Sequence, residues 1–189
     1  HLWPQQPVAE PPPAVEFTLC AKAGSVTMPD GTVVPIWGLA QLPAGVDCDD
    51  PSVVAKLPGP LLEVTAGDQV TITLHNTLDE PVSILLPGQN MPPDYGGAPP
   101  GGSKTISFVA QNPGTYLYES GVNPQKQVLM GLFGVLVVRA RTAGQAYEDA
   151  DGRSAYDTEA LVVLSEIDPA LHEAVAAGQA YDLAQYAPR

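Results

Sequence analysis

Few residues in this chain are equipped for chemistry, and they are scattered. The histidines are His1, His75 and His172, and the only cysteines are Cys20 and Cys48. Asp47, Asp49 and Asp50 cluster beside Cys48. A histidine at a mature N-terminus can chelate copper through its amine and ring, but the site needs a second histidine alongside, and the Pro-rich residues after His1 supply none. Equally, His1 can simply mark where a longer chain was cut. His75 follows Leu74 in a pattern that points Val70, Ile72 and Leu74 inward, so it is expected on an outer face or edge. His172 lies beside Glu173 in an acidic helical segment and is expected at the surface. The Asp47–Asp50 carboxylates lack EF-hand spacing and read as a solvated acidic loop. No GxSxG, HExxH, Walker or dinucleotide-binding motif is present.

Cys20 and Cys48 have neither CxxC spacing nor nearby histidines, so a metal site is a weak reading. In an exported protein a disulfide is the natural reading, with two buried thiols as the alternative. Met28, Met91 and Met130 are too few for a metal-trafficking surface and are expected in ordinary packing.

The elements that must position these residues are mostly strands. The chain has 189 residues, 44% of them hydrophobic, with 21 prolines and 18 glycines. That is enough apolar material for a core and enough turn chemistry for an all-β sandwich or barrel. The formal charge of −13 repels phosphate backbones and anionic membranes, so nucleic acid is a poor partner. No apolar run is long enough to span a bilayer.

Residues 1–14 read as an extended Pro-rich arm. Alternating patterns predict strands over 15–22, 25–28 and 32–37, the last two around the turn Pro29-Asp30-Gly31. Further strands are expected over 61–65, 69–74, 81–86, 103–109, 114–118 and 132–138, with loops over 41–60 and 87–102. After Arg141 the chain turns polar and acidic, with Asp151-Gly152 as a hairpin tip or linker. A strand over 160–164 follows, then a helix with Asp168 as N-cap, Pro169 as first residue and Gly178 as stop; Leu171 and Val175 share one face. Short strands spaced by turns point to a Greek-key β-sandwich with a short C-terminal helix.

Several pieces in order resemble the first domain of the multicopper oxidases. They are Met28-Pro29-Asp30-Gly31 with Ile36-Trp37-Gly38, then Gly59-Pro60-Leu61-Leu62 with Ala66-Gly67-Asp68 and His75-Asn76. Pro99-Pro100-Gly101-Gly102-Ser103, Pro113-Gly114-Thr115-Tyr116 and Gly131-Leu132-Phe133-Gly134 complete the set. The resemblance spans residues 15–141 and implies a cupredoxin-like fold. Residues 142–189 look like a linker, strand and helix leading toward a second domain.

In that family, paired His-x-His motifs on strands of the first domain help to bind a three-copper cluster. Here Leu85 and Pro87 stand at the first pair and Glu119 and Gly121 at the second. Leu and Pro have no donor atom, Gly has no side chain, and one carboxylate does not replace four imidazoles. A mononuclear copper site, made of Cys, two His and Met, would fall on Ser120, Gln127 and Leu132, which are equally unsuitable.

The resemblance therefore implies an exported domain with no cofactor of its own. It would serve a larger copper-dependent oxidoreductase whose copper sits in other domains. Its partners would be further cupredoxin domains of the same protein, with no membrane insertion and oligomerisation left open. The fragment alone would show no enzyme activity. The alternative is a stand-alone, copper-free module that binds a partner protein or glycan through the 87–102 loop with Tyr95, or through a groove at Tyr116 and Tyr118.

Overall fold

The computed structural model describes residues 13–186, so His1 and most of the Pro-rich arm lie outside the described residues. Among these described residues, seven strands form two sheets. The larger has the order β2-β1-β4-β5, from β1 (Ala14–Thr27), β2 (Val33–Gln41), β4 (Gln69–Asn76) and β5 (Ser103–Val109). The smaller has the order β3-β7-β6, from β3 (Leu62–Thr65), β6 (Gly114–Glu119) and β7 (Phe133–Arg139). One apolar core joins the inner faces, with Phe17, Leu19, Ile72 and Leu74 from the large sheet and Leu62, Leu136 and Val138 from the small one. The mainly β sandwich is the architecture the strand spacing implies.

The alternation in β4 works as expected: Val70, Ile72 and Leu74 are buried, and Thr71, Thr73 and His75 face outward. The two strands expected over 15–22 and 25–28 are one strand, because β2 pairs with β1 continuously from Leu19↔Gln41 to Thr27↔Val33. The turn between them closes as anticipated: Gly31 takes φ 86°, and Asp30 Oδ1 accepts from Thr32 N at 2.9 Å.

Three expectations fail. Residues 81–86 form no continuous strand. Val82 bridges to Ala98 while Leu85 bridges to Glu119, so two different partners split the segment. The apolar stretch at 160–164 is extended but belongs to neither sheet. A short helix not expected from the sequence, α1 (Pro124–Met130), precedes β7, with Pro at its start and Gly131 (φ 118°) as its left-handed stop. The second helix, α2 (Pro169–Ala176), begins as expected, Asp168 accepting from Ala170 N at 3.0 Å.

His172 is the clearest correction: it is fully buried rather than at the surface. Helix α2 packs on β2, the free edge of the large sheet, and His172 Nδ1 donates to the carbonyl of Pro35 at 2.7 Å. An edge carbonyl covered by a helix needs a donor, and an imidazole supplies one while filling the space. Burial of the ring lowers its pKa, against the opposing influence of the Pro35 and Leu129 carbonyls and the Asp168 charge.

Candidate functional site

The strand end of β6 and the segment before Pro87 build the place where the resemblance puts metal ligands. Leu85 N donates to Glu119 O at 2.7 Å and Glu119 N returns a bond to Leu85 O at 3.0 Å. This two-way pair sets the Leu85 side chain over Gly121, where an added Cβ would lie only 2.4 Å from Leu85 Cδ1. Three of the four positions thus come together as backbone neighbours, and an apolar side chain fills the space beside them. Pro87 is exposed and opens, with Leu85, onto a separate cleft of about 240 Å³ beside Tyr95 and Met91. Glu119 lines a different pair of grooves with Val128, Leu129 and Tyr186.

Behind this pair lies a buried polar network. Ser120 Oγ donates to Gln127 Oε1 at 2.5 Å and accepts from Ser83 N at 3.2 Å. Gln127 Nε2 donates to Glu80 Oε1 at 2.7 Å and to Pro81 O at 2.9 Å. Gly121 N donates to Ser83 Oγ at 2.9 Å, and Lys126 closes the set through an ion pair with Glu80 while sitting over the Trp37 ring. Ser120, Gln127 and Leu132, where the resemblance would put a mononuclear copper site, are each fully buried. Both polar side chains already spend their hydrogen-bonding capacity on one another and on their neighbours. Copper does not fit this donor set: one amide, one hydroxyl and no sulfur or imidazole.

The remaining candidates stay apart. His75 lies half-exposed on the outer face of the large sheet, as anticipated. Asp50 accepts from Ser52 N at 2.8 Å and Ser52 Oγ at 2.6 Å, bonds that hold its carboxyl below the usual range. Lys22 Nζ crosses to the carbonyls of Cys48 and Val53, fixing the same loop. Cys20 and Cys48 form a disulfide, with Cα atoms 5.8 Å apart, in a small satellite core with Ala40, Leu42 and Val53. Among the described residues no three His, Cys, Asp or Glu side chains come together as a metal group. Met130 is core, and Met91 packs against it. Tyr95 is 67% exposed, whereas Tyr118 is fully buried and donates to Pro60 O at 2.6 Å, so Tyr118 lines no groove.

A two-sheet β sandwich with these loops is a cupredoxin-like domain. Residues 51–143 match the multicopper oxidase family model. The chain is 36% identical over 118 residues to copper resistance protein A of Pseudomonas syringae pv. tomato, a match covering 58% of this chain and 18% of that protein. It is 29% identical over 140 residues to the multicopper oxidase MmcO of Mycobacterium tuberculosis, covering 68% of this chain and 26% of that protein. A copper nitrite reductase from Nitrosomonas europaea superposes with TM-score 0.57 at 27% identity, covering 69% of this chain and 43% of that one. A multi-copper oxidase from Pseudomonas thermotolerans gives TM-score 0.56 at 26% identity, covering 70% and 31% respectively. The chain contains a cupredoxin-like domain similar to those of the multicopper oxidases. It spans about a fifth to a quarter of the length of the two curated relatives named. No helix among the described residues is long and apolar enough to cross a membrane.

Proposed function

We propose that this chain is a copper-free structural domain of a larger multicopper-oxidase-like protein, working in an exported, oxidising compartment. One observation carries the reading: Leu85 packs over Gly121 where metal-binding rings would need to stand. The donor chemistry agrees, because Glu119 is the single metal-binding side chain among Leu85, Pro87, Glu119 and Gly121. Residues 15–141 are the working unit, and 142–189 lead toward a neighbouring domain. Copper, and any oxidation of substrate, belong to other cupredoxin domains of the same protein. The role of this one is to pack against them and shape the assembly. The Cys20–Cys48 disulfide is compatible with export.

The test is copper loading. The purified chain is incubated with excess copper in each oxidation state, desalted and analysed for metal. We expect no retained copper; one copper per chain, held after desalting, would sink the reading.

A further inference from the structure

The polar hairpin that follows the small sheet presents a tyrosine in a way that internal packing does not require. Tyr147 is 59% exposed, yet its backbone is clamped on both sides. Its N–H donates to Ser154 Oγ at 3.2 Å, and its carbonyl accepts from the same hydroxyl at 3.0 Å. Ser154 N is tied in turn to Asp149 Oδ2 at 2.7 Å, and Gln145 bridges to Ala155 across the hairpin. An exposed ring on a fixed backbone has lost much of its ordering entropy before any contact is made. The ring lines a cleft of about 520 Å³ between the hairpin and the outer face of the small sheet, a volume in the range of small-molecule sites.

The lining is amphipathic. Leu61 and Val137 form an aliphatic wall, and Thr115 and Thr158 add hydroxyls. Arg139 and Glu159 stand in the same cleft as an ion pair, with Glu63 holding the guanidinium from β3 at 3.0 Å. Each class of ligand meets this lining differently. A wholly apolar ligand would strip water from the ion pair and return no hydrogen bonds. An anion meets two carboxylates for one guanidinium, in a chain of formal charge −13. An organic cation would have to displace Arg139 from carboxylates that it already pairs. A neutral saccharide suits every part: its hydroxyls donate to Glu159 and exchange bonds with the threonines, while its C–H face lies on the Tyr147 ring and the aliphatic wall.

We infer that the cleft between Tyr147 and the outer face of the small sheet binds neutral saccharide, with the Tyr147 ring as platform and Glu159 and Arg139 as partners of its hydroxyls. The cleft shares no lining residue with positions 85, 87, 119 and 121, so the inference stands independently of copper content. It gives the domain a means of holding neutral polysaccharide at its surface.

Chemical-shift titration of the isotope-labelled 189-residue chain tests this, with maltose, cellobiose and chitobiose as neutral probes and digalacturonate as the anionic one. At least one neutral disaccharide should move the resonances of Thr115, Tyr147 and Thr158 with a Kd of about 1 mM or tighter. Digalacturonate should bind about tenfold more weakly or not at all. Tyr147→Ala should weaken the neutral probe about fivefold or more at unchanged melting temperature, and Tyr147→Phe should stay within about threefold of the parent. Thr115→Arg, at an exposed position on β6 that leaves the hairpin untouched, should block the cleft from the strand side and abolish binding. No saturable shifts at the cleft with any neutral probe, equal binding of digalacturonate, or undiminished binding by Tyr147→Ala or Thr115→Arg overturns the proposal.

Discussion

Substituting Gly121 by alanine tests the packing of Leu85 over Gly121, where the resemblance would put metal ligands. The new Cβ would lie 2.4, 2.6 and 3.1 Å from Leu85 Cδ1, Cγ and Cδ2. Carbon atoms attract best at about 3.5–4.0 Å, so two of these contacts are inside the repulsive wall by about 1 Å. Rotating the outer methyl alone gives no relief, because Cγ is also too close. The backbone cannot easily recoil, since Leu85 and Glu119 exchange two hydrogen bonds and Gly121 N is tied to Ser83 Oγ. Overpacking of this kind costs about 1–3 kcal/mol. Leu85→Ala alone removes a half-buried side chain and should cost about 1–2 kcal/mol, below the fully buried range. Combining them removes the collision, so Gly121→Ala should be nearly neutral in the Leu85→Ala background, a coupling of about 1–2 kcal/mol. Urea unfolding reads this as midpoint shifts at unchanged slope. If Gly121→Ala costs nothing, or costs the same with and without Leu85, the site is not filled as described.

Other expectations follow from the same contacts. Gln127→Met strips partners from Ser120 and Glu80 and should cost about 2–3 kcal/mol; Ser120→Ala in that background should cost about 1 kcal/mol more, because it also orphans the buried Ser83 N–H, which thermal unfolding can check. Removing the disulfide by Cys20→Ala with Cys48→Ala should cost about 3–4 kcal/mol from the freed loop, measured by denaturant unfolding against the oxidised parent. Burial keeps His172 neutral, so below its ordinary pKa of 6.5 the unfolded chain binds a proton that the folded one resists. Stability should therefore fall as pH drops from about 7 through that value, and His172→Gln should flatten that limb of the curve. Tyr118→Phe breaks the buried bond to Pro60 O and should cost about 1 kcal/mol, read by the same unfolding assay.

The local rules written in residue types carried much of the fold. Alternation placed Val70, Ile72 and Leu74 inside β4, Pro29-Asp30-Gly31 set the turn before β2, and Asp168-Pro169 opened α2. Each depends on neighbours within a few residues, so composition and spacing suffice. The identities at 85, 87, 119 and 121 were equally legible, because donor chemistry belongs to the residue itself.

Tertiary contacts decided the rest. Whether an apolar stretch becomes a strand depends on a partner: residues 81–86 were divided between Ala98 and Glu119, and residues 160–164 found none among the described residues. His172 looked like a surface residue beside Glu173, but α2 lay across the free edge of β2 and turned it onto the Pro35 carbonyl. The meeting of Leu85 with Gly121, and the closure of Ser120 on Gln127, join segments that are distant in the chain. Residue types determined that these positions carry a single carboxylate and no imidazole, while only the packing of strands decided what filled the space beside them.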